Sequence, residues 1–180
     1  MSHTDFEQLA ACAARLQREF VAAVDPWKGS PFAWMRTLQA SPRGKAGKGL
    51  VECLLKHRGY TVGRASSSEH DLTVDGARVE LKTLTLWEGH VYKFQQVRDQ
   101  GYDVLIGLGL SPFDAHLWAW SKEELKRHVI GKLTQHAGRA GSDTAWISVD
   151  PRAPDAWMLD SGGPLSAGLA RLEALLRASG

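Results

Sequence analysis

Cysteine is scarce in this chain: two residues in 180, Cys12 and Cys53, with no C-x-x-C pair. That excludes a disulfide scaffold and a cysteine-built zinc site. No apolar run approaches the ~18 residues of a membrane span. Met1 to Glu7 are polar and acidic, with no apolar stretch behind basic residues, so neither a membrane anchor nor a secretory leader is expected and the cytoplasm is the expected location. An excess of one charge is also missing. The 22 Lys and Arg nearly balance the 20 Asp and Glu, so only local clustering can point to a partner. Without a G-x-S-x-G elbow, a phosphate-binding loop or a dinucleotide fingerprint, the common serine-hydrolase and nucleotide-binding readings fall away. No internal repeat or low-complexity tract is present. What remains, at 43% apolar content, is enough chain for one domain over residues 1–180 with a single core.

Helical spacing marks the start of the chain. Thr4 and Glu7 match a capping box, and Phe6, Leu9, Ala13, Leu16, Phe20 and Val24 recur at helical intervals until Asp25-Pro26. An aromatic turn or short helix is expected around Phe32 to Leu38. Ser41 to Gly49 and His136 to Ser142 have the composition of mobile loops. Gly44 to His57 reads as a helix with Leu50, Val51, Leu54 and Leu55 on its apolar face, stopped by Gly59. From Tyr60 the period becomes two. Asp71 to Val74 and Ala77 to Thr83 are strands joined by Asp75-Gly76, a two-residue hairpin turn. Val91 to Gln100 reads as a helix, and Tyr102 to Leu110 as a strand covered on both faces, with Gly107 and Gly109 admitting a close helix. Ala115 to Trp120 is a strand, Ser121 to Glu124 a second capping box opening a helix to about Val129, Thr144 to Val149 a late strand, and Pro164 to Arg177 a closing helix. The expected fold class is α/β: three layers, with helices flanking a mixed sheet of about five strands. The N-terminal helical region covers 1–43, the core 44–120, and a helix, strand and helix fill 121–180.

The hairpin carries the chemistry. Its turn sets Val74 opposite Ala77, Thr73 opposite Arg78, Leu72 opposite Val79 and Asp71 opposite Glu80. Leu72, Val74, Val79 and Leu81 then share the core face, and Asp71, Glu80 and Lys82 project from the other. Two carboxylates in opposed positions repel unless something compensates them, and a divalent cation such as Mg²⁺ accepts that ligand set. Lys82 on the same face can hold an attacking water or offset charge on a scissile phosphate. The plainer alternative is the solvated face of an ordinary hairpin. A position in mid-sheet, where solvated charge is costly, favours the metal.

Asp71 followed by Glu80-Leu81-Lys82, with a preceding helix bearing Glu52 in Gly47-Lys48-Gly49-Leu50-Val51-Glu52, resembles the PD-(D/E)xK phosphodiesterase superfamily. Restriction endonucleases, archaeal Holliday-junction resolvases and mismatch-repair nickases share that fold. The resemblance covers about Gly44 to Leu110, and His70 stands where the motif has proline. It implies a restriction-endonuclease-like core, Mg²⁺ (Mn²⁺ substituting) held by Asp71, Glu80 and the Leu81 carbonyl, Lys82 assisting the nucleophilic water, and Glu52 completing the catalytic set. It also implies hydrolysis of duplex DNA, first as restriction by a homodimer with a DNA methyltransferase encoded nearby. The alternatives are a repair or junction-resolving nuclease and a non-catalytic DNA-binding domain.

Seven basic residues and one acid between Arg36 and Arg64 suit a phosphate backbone, or else form a solvated helix face. Arg43, Lys45, Lys48, Gln96 and Arg139 are the candidate DNA contacts. Lys48 and Lys56 flank Glu52 at helical spacing, so a surface ion pair competes with metal ligation there. Gln95 beside Gln96 can orient phosphate or be merely exposed. Trp118, Trp120 and Trp146 are expected in the core, Trp34 and Trp87 beside bases, and Cys53 as a small buried hydrophobe.

Overall fold

The computed structural model describes residues 3–20, 25–86, 90–133 and 144–179. Three helices, α1 (His3–Phe20), α2 (Ala33–Arg36) and α3 (Ala40–His57), precede strands β1 (Val62–Arg64), β2 (Leu72–Val74), β3 (Ala77–Thr85), β4 (Tyr92–Val97), β5 (Val104–Leu110) and β6 (Ala115–Ser121). Helix α4 (Lys122–His128), strand β7 (Ala145–Val149), a 3-10 turn at Ala156–Ser161, strand β8 (Gly162–Pro164) and helix α5 (Leu165–Ser179) complete the order. The α/β class is as expected. Six strands form one mixed sheet in the order β1-β2-β3-β5-β6-β8, with β3 and β5 parallel and the other neighbours antiparallel, while β4 and β7 pair as a separate antiparallel ribbon. No described helix is long and apolar enough to cross a membrane.

Apolar side chains fill both faces of the sheet. On one, Val51 and Leu55 of α3 and Leu169 and Leu172 of α5 meet Val79, Leu81, Ile106 and Leu117. On the other, Tyr92, Phe94, Ile147 and Val149 of the ribbon meet Leu105, Trp118, Trp120 and Leu125. Trp146 departs from expectation: Ala145, Ile147 and Val149 are the buried residues of β7, so alternation turns Trp146 to the opposite, half-buried face.

The hairpin register is the one the turn chemistry predicts, Val74 to Ala77, Thr73 to Arg78 and Leu72 to Val79, with Asp75 and Gly76 at φ +47 and +91. Ser121 and Glu124 form a complete capping box: the Glu124 N–H donates to Ser121 Oγ at 3.2 Å and the Ser121 N–H to Glu124 Oε2 at 2.8 Å. Gly59, at φ +88, follows α3 as a terminating residue should. Thr4 lies within α1, which already includes His3. The apolar stripe of α1 is exposed at Phe6, Leu9 and Leu16, and the end expected at Val24 lies outside the described residues.

Three further expectations are overturned. Ser41 to Gly49 is not a loop but the first half of α3, because Pro42 occupies the first turn, where a backbone N–H has no intrahelical acceptor to lose. Val91 to Gln100 contains strand β4 rather than a helix. A register shift between Phe94 and Val97, with Gln96 at φ +56, places those two apolar residues three apart and imitates helical spacing. Gly107 and Gly109 admit aromatic rings, not a helix: a Cβ on Gly107 would meet Phe94 and Trp120 at 2.9 Å, and one on Gly109 would meet Tyr92 at 2.7 Å.

Candidate metal centre at the open edge of β3

The peptide groups of β3 alternate between its two neighbours. The Arg78 carbonyl accepts from Asp103 N at 2.8 Å on the β5 side, and the Val79 carbonyl accepts from Asp71 N at 2.9 Å on the β2 side. Odd-numbered residues of β3 therefore turn their N–H and C=O groups towards β2. The β2 ladder stops at Leu72 and Val79, so among the described residues no strand covers that edge from Leu81 to Thr85. Asp71, one residue beyond β2, fills the first vacant place with its side chain, accepting the Leu81 N–H on Oδ2 at 2.9 Å. The Leu81 carbonyl points to the same open edge.

Side-chain alternation supplies the rest. Leu72 and Leu81 are buried on the α3 side, while Glu80 and Lys82 project from the other face, their side chains 12% and 21% exposed and joined by a 2.8 Å bond from Lys82 Nζ to Glu80 Oε1. Burial pushes the Glu80 carboxyl above its usual range. The Lys82 ammonium pulls it part of the way down, and the Asp71 carboxylate, by repulsion and a shared hydrogen bond, pushes it up again. Asp71 and Glu80 thus meet although they are not a ladder pair. Lys48 Nζ donates to the Asp71 carbonyl, tying α3 to the residue that closes the strand. His70, in the place of the motif proline, is buried at 6% exposure, with Nδ1 3.4 Å from Ser67 Oγ.

These donors fit a hard divalent cation. Two carboxylates and the Leu81 carbonyl supply oxygen ligands, and the remaining positions are left to water and phosphate oxygens, which Mg²⁺ prefers to a full protein cage. A cation would also relieve the repulsion that raises Glu80. Glu52 is not drawn into this set: its Oε2 lies 4.0 Å from Lys56 Nζ, and among the described residues no three His, Cys, Asp or Glu side chains gather as a metal site.

The proposed DNA contacts separate into different roles. Lys45 is exposed on α3, and Gln96 is exposed at the bulge of β4. Arg43 is spoken for: its Nε donates to the Met35 carbonyl at 3.1 Å and its NH2 group to the Leu38 carbonyl at 2.6 Å, bolting α3 to the end of α2. Arg139 and Trp87 lie outside the described residues. Cys53 is exposed, not buried, with Sγ 3.6 Å from His57 Nδ1, because the buried stripe of α3 runs through Gly47, Val51 and Leu55 and leaves it aside.

Sequence reasoning missed a cleft of about 280 Å³ that continues the open edge, between Ala40, Arg43 and Gly44 of α3 and Lys93 and Gln95 of β4, with Thr83 and Thr85 along its floor. The available signal was the alternation of Lys93 and Gln95 with the apolar Tyr92 and Phe94. Neither a protein-family model nor a curated protein matches the chain.

Proposed function

We propose that this chain is a Mg²⁺-dependent endonuclease of the PD-(D/E)xK type that hydrolyses phosphodiester bonds of duplex DNA. The observation that carries the reading is the convergence of Asp71, Glu80, Lys82 and the Leu81 carbonyl at a strand edge that β2 leaves open. A repelling carboxylate pair that is mostly shielded from water, with an ammonium held against it, is costly for a solvated surface and useful for a metal-assisted reaction. The exposed Lys45 and the half-buried Lys48 extend positive charge along α3 beside this edge.

Asp71, Glu80 and the Leu81 carbonyl would hold Mg²⁺, or Mn²⁺ in its place; bound there, the ion would supply Lewis acidity and a water of lowered pKa. Glu80 serves in its ionised form, which the Lys82 ammonium at 2.8 Å favours. Lys82 then directs the attacking water and offsets negative charge that develops on the phosphate. Lys48, through the Asp71 carbonyl, holds the first ligand in place. In this reading the biology is restriction of foreign DNA in the cytoplasm by a homodimer, with a methyltransferase protecting the host's own sites.

The wild-type chain with Mg²⁺ should cut plasmid DNA into discrete fragments. Lys82→Ala and Glu80→Ala should abolish cutting while keeping a cooperative unfolding transition. Failure of the wild type to cut linear, branched or mismatched duplexes with either Mg²⁺ or Mn²⁺ would refute the enzymatic reading.

A further inference from the structure

A second feature lies beside α2, the helix to whose end Arg43 is bonded. Asp25, Trp27, Ala33, Trp34, Arg36 and Thr37 line a hollow of about 480 Å³ beside α2. Trp34 is 50% exposed and yet fixed: its indole N–H donates to the Pro31 carbonyl at 2.9 Å, and its own carbonyl accepts from the Thr37 hydroxyl at 2.7 Å. Trp27 forms a buried wall, with the Arg36 guanidinium 5.4 Å from its ring centroid and 3.1 Å from Asp25 Oδ1.

A flat apolar ring held rigidly in water is unfavourable on its own and well prepared for stacking, because little side-chain freedom remains to be lost. The rim narrows the class of ligand. Arg36 offers donors and Asp25 offers an acceptor, whereas the Asp25 carboxylate opposes a bare phosphate. A planar ring system with both donors and acceptors on its edge fits, and nucleobases have that form. In a continuous duplex both faces of each base are already stacked, so only an unpaired base is available. Arg43 ties the segment that carries the hollow to the cleft along β3, since it lines that cleft and bonds the Met35 and Leu38 carbonyls at and just beyond the end of α2.

We propose that the Trp27–Trp34 hollow takes one unpaired nucleobase of the DNA substrate, stacked on Trp34, and that the chain therefore prefers duplexes with an interruption near the bond it cuts. This rests on the endonuclease reading and adds a subsite and a substrate class to it.

Binding can be measured apart from cutting. Fluorescence anisotropy of the full chain carrying Lys82→Ala, without metal, compares a fully paired duplex, the same duplex with a one-nucleotide bulge, and that bulge made abasic. The bulged DNA should bind about 10-fold more tightly than the other two. Adding Trp34→Ala should erase the difference, and Trp34→Phe should keep most of it. Because the abasic bulge is as bendable as the intact one, equal affinity for both would assign the preference to DNA flexibility and overturn the inference. Equal affinity for all three DNAs, or a preference that survives Trp34→Ala, would overturn it as well. If the wild type cuts plasmid while any of these results holds, the endonuclease reading stands and only the subsite falls; no DNA binding and no cutting would remove both.

Discussion

Gly47 and Gly49 lie two residues apart in α3, and replacing each with Ala should move stability in opposite directions. A Cβ on Gly47 would stand 2.3 Å from both Cβ and Oγ1 of Thr83 and 2.6 Å from its Cγ2. Carbon atoms pack at about 3.5–4.0 Å, so either α3 must lift or β3 must bend by about 1 Å. Thr83 cannot swing clear, because its own Cβ is among the atoms struck and a β-branched side chain has few rotamers. Overpacking of this kind costs about 1–3 kcal/mol, against the ~1 kcal/mol that Ala gains over Gly in a helix interior. A Cβ on Gly49 would meet nothing within 4 Å, so there the helix-propensity gain stands alone. The propensity gain is common to both, so the two variants should differ by about 1–3 kcal/mol, or about 2–12 °C in melting temperature for a chain of this size. Urea titration followed by circular dichroism measures the difference, provided the slopes match. The same displacement would draw Lys48 away from the Asp71 carbonyl, so Gly47→Ala should also cut DNA more slowly than Gly49→Ala. Equal stability of the two variants would refute the close approach of α3 to β3.

Three further outcomes are expected. Burial beside Asp71 raises the Glu80 pKa on folding, so the native state holds its proton longer; this contribution to stability is full below the ordinary carboxylate pKa and is lost as pH rises through the raised value. Mg²⁺ requires the ionised form, so the rise in melting temperature with millimolar Mg²⁺ should grow as pH rises from the ordinary carboxylate range through the raised Glu80 value, and a pH-independent rise, or one retained by Glu80→Gln, would contradict the site. Arg43→Ala should lose about 1–2 kcal/mol of stability by releasing the end of α2 and leave the salt slope of DNA binding intact. Lys45→Ala should do the reverse, reducing that slope by about one with a stability change within about 0.5 kcal/mol.

The legible parts of the fold are those with local causes. Asp75-Gly76 determines its turn through two positive φ values, and the register follows from the turn alone. Ser121 and Glu124 cap α4 through groups three residues apart. Misreadings occur where a distant partner decides. The glycines of α3 suggest a loop by composition, but Gly47 is small because Thr83, far along the chain, presses on it. Gly107 and Gly109 are small because rings from β4 and β6 need their space, and β4 itself is hidden by a bulge that interrupts its alternation.

The site divides in the same way. That Glu80 and Lys82 share a face follows from period two, and that Asp71 lies near them follows from the turn. The sequence does not reveal that β2 stops one residue short of Asp71. Had the ladder continued, the Leu81 N–H and C=O would have been consumed by a strand, and Asp71 would have been one more cross-strand neighbour of Glu80. Because it stops, the Asp71 carboxylate takes the N–H that a strand would have taken, and the Leu81 carbonyl stays at the edge where a cation can reach it. That vacancy depends on a ladder end, a long-range property no local spacing encodes. It also explains the arrangement of the basic residues. Arg43 is used to build the wall of the cleft, Lys48 to hold the residue that terminates the ladder, and Lys45 remains exposed, where the proposed function has it meet a phosphate backbone. A charge count over Arg36 to Arg64 treats these three as equivalent, and only the pairing of the strands separates them.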